Sequence, residues 1–424
     1  MICGEANMAK LIINGGSRLE GEIAVQGAKN AALPVFAAAL LTEEPVIIQN
    51  WPAISDVYYM LSILEHIGAY VAFEKDRLVI DTRRALRWEM PDRLAKEIRS
   101  SIFMMGPILA RFRMARFTYP GGCEIGSRPI DLHLRGLRSL GVNVTEAGGH
   151  IMCEGKKLKG GDVHLDYPSV GATENLMMAA ALAPGHTTIR NAAREPEIIE
   201  LQKVINQMGG DVKGAGTSTV TIEGKSHLGG FTYTCMPDRI VAGTFMAAAV
   251  VTNGRITLKN VVPEHLYSIT AKLKETGAKI DVYDDAITVT GQGRPKEMHL
   301  IETGPYPGFP TDMQAQMCMT ACIARGTSII VESVFDNRFK HVSELQRMGA
   351  NIVIKNNVAV IKGVEKLHGA DVSAMDLRGG AALVLAGLCA EGTTVVEHAK
   401  IIDRGYETFE QELNLLGADI KREE

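Results

Sequence analysis

One short phrase returns six times along this chain of 424 residues. It appears as Ile67-Gly-Ala-Tyr-Val71, Leu140-Gly-Val-Asn-Val144, Met208-Gly-Gly-Asp-Val212, Thr276-Gly-Ala-Lys-Ile280, Met348-Gly-Ala-Asn-Ile352 and Leu416-Gly-Ala-Asp-Ile420. Its glycines stand 73, 68, 68, 72 and 68 residues apart. So steady a period means one supersecondary unit copied six times. Each phrase reads as the end of an amphipathic helix, with glycine just past the last turn, followed by an alternating strand. Ile63, Leu64 and Ile67, or Leu137 and Leu140, supply the buried stripe.

A second helix precedes the phrase in every unit, near residues 31–41, 101–110, 176–183, 242–251, 317–324 and 381–390. These stretches are apolar nearly all round, and a helix without a polar face is buried on all sides. After each come a short turn and a β-rich run, such as Val46-Ile-Ile48 or Thr393-Thr-Val395. The expectation is an α/β protein of six βαβαββ-type units in two groups of three, buried helices inside and sheets or amphipathic helices outside.

Bulk properties narrow the function. Apolar residues make up 46%, enough for sizeable cores, and a net charge of -4 offers no electrostatic reason to bind nucleic acid. Seven cysteines, at 3, 123, 153, 235, 318, 322 and 389, show no secreted-type pairing, which points to a reducing, cytoplasmic setting. Cys318 and Cys322 share a helical spacing within an apolar run and read as core. The longest apolar runs, 241–251 and 381–390, fall short of the roughly 20 residues that span a membrane. No metal-ligand spacing and no P-loop appear, and Gly291-Gln-Gly293 leads into Arg-Pro, not a helix. Neither metal nor cofactor is expected, and a monomer acting on small molecules is.

The mouths of the buried helices carry the chemistry. Counting back from the strands reaches Lys29, Arg99, Thr173, Asp238 with Arg239, Thr311 with Asp312, and Asp376 with Arg378. Capping, worth roughly 0.5–2 kcal/mol, accounts for Thr173 and is open to Asp238 and Asp376. It does not account for the cations, which oppose the helix dipole by about 0.3–1 kcal/mol. Cations there make sense where an anion is to be held. A glycine- and proline-rich loop, Pro120-Gly-Gly-Cys-Glu-Ile-Gly-Ser-Arg-Pro129, adds the thiol of Cys123 near Arg128, a neighbour that favours the thiolate.

These residues resemble the enolpyruvyl transferase family, in the branch that acts on UDP-N-acetylglucosamine. The likeness spans about 11–420. It rests on Gly27-Ala-Lys-Asn-Ala-Ala-Leu-Pro34, the Cys123 loop, Asn191-Ala-Ala-Arg-Glu-Pro-Glu197, Phe309-Pro-Thr-Asp-Met-Gln-Ala-Gln316, Asn337-Arg-Phe339, Asp376-Leu-Arg378 and Asp403-Arg-Gly-Tyr406. The resemblance implies a two-domain inside-out α/β barrel, one domain over 29–236 and the other over 1–28 plus 237–424. It implies transfer of the enolpyruvyl group of phosphoenolpyruvate to the 3′-hydroxyl of UDP-N-acetylglucosamine by addition and elimination, which opens peptidoglycan precursor synthesis. By resemblance Asp312 is the general base. Cys123 is the proton donor at C3, and the target of the epoxide antibiotic fosfomycin. Lys29, Arg128 and Arg404 surround the phosphate, with Arg338 and Arg378 nearby, and Asp376 orients the intermediate. Asn30, Arg99, Arg128, Pro129, Ile130, Asp131, Leu132 and Val334 match nucleotide-sugar contacts, with His133 assisting. One departure stands out: where some relatives carry a lysine before Ser169-Val-Gly171, this chain has Tyr167. The alternative within the family is transfer to shikimate 3-phosphate, disfavoured by the Cys123 loop and the Phe-Pro-Thr-Asp-Met run.

Overall fold

The computed structural model describes residues 9–75, 77–121 and 130–424. Among them six small sheets form, one for each copy of the repeat. The third copy shows the unit whole: strand Asp162–His164, buried helix Val170–Ala181, strand His186–Arg190, amphipathic helix Pro196–Gln207, then strands Asp211–Lys213 and Thr219–Glu223. The first two strands run parallel, Ile189 opposite Val163, because a helical crossover returns the chain in the same direction. The last two form an antiparallel hairpin on the other side of His186–Arg190. This is the βαβαββ order expected of each unit.

All six phrase glycines adopt positive φ, from 86° at Gly141 to 113° at Gly68. Any residue with a Cβ would lose roughly 1–2 kcal/mol in that conformation. The glycine thus ends each outer helix and aims the chain into its hairpin.

Two strands do not stay with the helix they lead into. Glu20–Ala24 runs on to the helix Lys29–Ala38, yet it pairs with Arg255–Lys259, Glu22 opposite Thr257. Thr232–Thr234 runs on to the helix Arg239–Val251, yet it pairs with Val46–Gln49, Tyr233 opposite Ile48. The sixth copy completes its sheet with the N-terminal strand Lys10–Asn14, inserted between Thr393–Glu397 and Asp419–Glu423. The chain accordingly forms two compact units: residues 9–26 with Pro237–Glu424, and the described residues between 27 and 236.

Each unit has its own apolar core. In the first, Arg239–Val251, Gln314–Cys322 and Leu377–Cys389 pack against one another, and every residue of the first two helices is buried. Alanine is the commonest residue in them, the best helix former, and its small side chain lets the axes approach closely. Each fully buried Leu, Met or Phe contributes about 1.5–3 kcal/mol. Sheets lie outside these helices, with alternate residues turned inward. One expected cap is corrected: Thr173 does not start its helix. Ser169 does, its hydroxyl accepting from the Ala172 amide at 3.3 Å, while Thr173 lies a turn inside and donates to the Ser169 carbonyl at 2.8 Å. Both residue types cap well, so only the register of the turn distinguishes them. No helix among the described residues is long and apolar enough to cross a membrane.

Candidate active site

In the unit that contains Pro237–Glu424, Asp312 lies in a tight turn, Thr311–Met313, at the mouth of a buried helix. It is not a cap: its carboxylate turns to two arginines. Arg338 donates to Oδ1 at 2.6 Å and Arg378 donates to Oδ2 at 3.4 Å. Both arginine side chains are only 4% exposed, whereas that of Asp312 is 27% exposed. A carboxylate so placed is held in one orientation yet still reachable, which suits a base.

Arg378 follows Asp376, which is a cap: its carboxylate accepts from the amides of Arg378 and Gly379 at 3.0 and 2.9 Å. The Arg378 guanidinium stacks over the ring of Tyr406 at 5.4 Å. Burial opposes its charge, but Tyr406, Asp312 and Asp238 more than reverse that and hold the arginine firmly protonated. Its Nη1 is buried and has no hydrogen-bond partner among the described residues. Beneath, the Tyr406 hydroxyl meets Thr244 Oγ1 at 2.9 Å and accepts from Gln316 at 3.4 Å. Gln26 donates to the Gly405 carbonyl and accepts from the Glu407 amide, clamping the segment that holds Arg404 and Tyr406. Arg404, half-buried, ends the turn Ala399–Arg404.

In the other unit, Lys29 opens the helix Lys29–Ala38, and Asn30 follows, half-buried. The Lys29 ammonium pairs with Asp56 at 2.7 Å. Asp56 is buried in the first turn of Ser55–Ile67, where the helix dipole favours an acid. A cation at a helix mouth is thus offset from within the chain, a partner that charge and dipole alone do not disclose. Arg99 starts the turn Arg99–Met104 and donates to the Pro120 carbonyl at 3.4 Å. Ile130 precedes the helix Asp131–Ser139, whose first residues are Asp131 and Leu132.

His133, on that helix, is buried. Asn175 accepts from the Gly106 amide through Oδ1, so its Nδ2 must be the donor, to the Ile102 carbonyl at 2.9 Å and to His133 Nδ1 at 3.0 Å. His133 is therefore neutral, with its proton on Nε2. Burial, with Arg99 nearby, pulls its pKa down to about 3. In the unfolded chain it titrates near 6.5, so it takes up a proton there that it refuses when folded. Its stabilising contribution is complete above pH ~6.5 and is lost as pH falls toward 3, by at most about 1.4 kcal/mol per unit. Urea melts between pH 7 and 5 should show a shallower loss of stability for His133→Gln than for the parent; equal slopes would exclude His133 as the source.

The structure brings together Asp312, Arg338 and Arg378, with Asp376 two residues before Arg378 in sequence. Lys29, Asn30, Arg99, Ile130, Asp131 and Leu132 lie in the other unit. Val334 lies on the loop before Arg338. Cys123, Arg128 and Pro129 lie outside the described residues. Sequence reasoning missed Asp56, Tyr406, Gln26 and Glu332 as partners of site residues; of these only Tyr406 falls in a motif, Asp403-Arg-Gly-Tyr406. It missed Glu174 as well, which is fully buried just past the first turn of its helix. Burial, together with Glu197 and Glu195, pushes the Glu174 carboxyl well above the usual range. No group of three or more potential metal ligands occurs among the described residues.

Comparison with known proteins supplies what geometry does not. A family model described as EPSP synthase (3-phosphoshikimate 1-carboxyvinyltransferase) matches residues 13–413. The chain is 54% identical to UDP-N-acetylglucosamine 1-carboxyvinyltransferase 2 of Caldanaerobacter subterraneus subsp. tengcongensis, over 98% of this chain and 100% of that one. It is also 54% identical to UDP-N-acetylglucosamine 1-carboxyvinyltransferase 1 of Carboxydothermus hydrogenoformans, over 98% of each. Among solved structures, the enolpyruvyl transferase NikO from Streptomyces tendae superposes with a TM-score of 0.89 at 25% identity, over 98% of this chain and 99% of that one. EPSP synthase from Acinetobacter baumannii, at 18% identity and a TM-score of 0.75 over 98% and 100%, shares the fold.

Proposed function

The chain belongs to the enolpyruvyl transferase family, and from that membership we infer that it transfers the enolpyruvyl group of phosphoenolpyruvate to the 3′-hydroxyl of UDP-N-acetylglucosamine, releasing phosphate. The reaction is the entry step of peptidoglycan precursor synthesis, carried out in the cytoplasm by a monomer. Choice of acceptor follows relatives more than half identical over nearly the whole chain. The match to the shikimate enzyme is at the level of the family.

The geometry that supports this chemistry best is the Asp312 carboxylate gripped by Arg338 and Arg378. In the proposed sequence Asp312 takes the proton of the sugar hydroxyl as its oxygen bonds to C2 of the enol, while C3 receives a proton from Cys123. The tetrahedral intermediate then loses phosphate as C3 returns a proton, restoring the double bond. Charge on phosphate and carboxylate is met by Lys29, Arg128 and Arg404, and by the donors Arg338 and Arg378 do not spend on Asp312. The Nη1 of Arg378, buried and without a partner among the described residues, is one such donor. Asn30, Arg99, residues 128–132 and Val334 hold the nucleotide sugar. Asp376, as a cap, orients Arg378.

The test is phosphate release from phosphoenolpyruvate with each acceptor in turn. Release with UDP-N-acetylglucosamine and none with shikimate 3-phosphate is the expected result; the opposite pattern would overturn the assignment.

A further inference from the structure

The six copies give an internal control for one residue. In three of them the residue after the strand that follows the buried helix is an asparagine with left-handed backbone: Asn50, Asn191 and Asn260, with φ of 50°, 54° and 54°. Each donates its side-chain amide to the carbonyl that follows the neighbouring parallel strand: Asn50 to Cys235 at 2.8 Å, Asn191 to Leu165 at 2.7 Å and Asn260 to Val25 at 2.8 Å. The bond ties two adjacent strand ends and satisfies a buried carbonyl.

In the fifth copy, the one that holds Asp312, the same position is Glu332. It follows the strand Thr327–Val331, and the residue after the neighbouring strand Leu300–Glu302 is Thr303. Its backbone is not left-handed, and its side chain is an acceptor instead of a donor. Glu332 is 2% exposed, and its carboxylate takes four hydrogen bonds. Oε1 accepts from the Thr303 hydroxyl at 2.9 Å and from the amides of Val334 and Phe335 at 2.9 and 3.1 Å. Oε2 accepts from the hydroxyl of Thr311 at 2.9 Å.

Three of those donors, Thr311, Val334 and Phe335, belong to the two segments that build the site. Thr311 immediately precedes Asp312, and Val334 and Phe335 begin the loop that ends on Arg338. We propose that Glu332 is a positioning residue: it replaces the strand-end tie seen in three other copies with a buried carboxylate that locks the Asp312 turn to the Arg338 loop, and so sets the contact between base and arginine. A neutral amide donor at this place could not accept from two amides and two hydroxyls at once. This rests on Asp312 being the base.

A double-mutant cycle separates this from a general structural effect. Glu332→Ala should lower kcat by about 10²-fold, as expected for loss of alignment at the reacting centre. In an Asp312→Asn background the same change should cost less than 3-fold, because the base it aligns has already gone. Equal losses in both backgrounds would overturn the proposal, as would kcat for Glu332→Ala within 3-fold of the parent. Glu332→Gln, which keeps an acceptor for both amides, should recover at least 10-fold over alanine. Should the alanine variant fail to fold, Thr311→Val removes only the hydroxyl tether to Asp312. It should lower kcat by about 10-fold with its loss again absent beside Asp312→Asn; no loss would reject the proposal. Absence of phosphate release from the unaltered protein with UDP-N-acetylglucosamine would be a failure of the functional assignment, not of this one.

Discussion

Asp312→Asn should lower kcat for phosphate release by about 10³-fold while leaving the protein folded. A positioned general base contributes roughly 10²–10⁴-fold, and the amide cannot take the sugar hydroxyl's proton. The exchange also removes the counter-charge from two arginines whose side chains are 4% exposed. Breaking a fully buried pair costs roughly 3–5 kcal/mol. Here the loss should be smaller, because the Asp312 side chain is 27% exposed and water can reach the vacated side. Asparagine retains an acceptor for Arg338, so Asp312→Ala should unfold at lower urea than Asp312→Asn. A kcat for Asp312→Asn within 10-fold of the parent would remove Asp312 from the role of base, whatever its stability.

Cys123→Asp should retain turnover and abolish time-dependent inactivation by fosfomycin. The thiolate is a soft nucleophile able to open an epoxide. A carboxyl group can still exchange a proton with C3, so the transfer itself survives while the alkylation does not. The measurement is residual phosphate release after incubation with fosfomycin, with mass spectrometry of the intact protein. Inactivation of the Cys123→Asp protein, or an adduct on it, would show that another side chain is the target.

Much of the architecture was legible from local chemistry. Glycine after each outer helix, apolar stretches without a polar face and alternating hairpin strands are short-range signals, and every copy repeats them. The charged helix mouths were legible for the same reason, since a cation there departs from what a cap requires. Thr173 shows where this stops: with Ser169 four residues earlier, two good caps compete, and only the register of the packed helix chooses between them.

The partners were not legible. Asp56 is 27 residues from Lys29, and Arg338 and Arg378 are 26 and 66 residues from Asp312, with nothing in the intervening sequence to announce the contact. Glu332 reads as one more acid at the end of a strand until the six copies are superposed. The sequence alone determined the copies, their helices and hairpins, and the residue types set at the helix mouths, because each follows from interactions among residues a few positions apart. Only the tertiary structure decided that Glu20–Ala24 and Thr232–Thr234 leave the helices they precede, and which carboxylate each cation meets. Those outcomes depend on long-range pairing and on the burial of charge, which exist only once the chain has closed on itself.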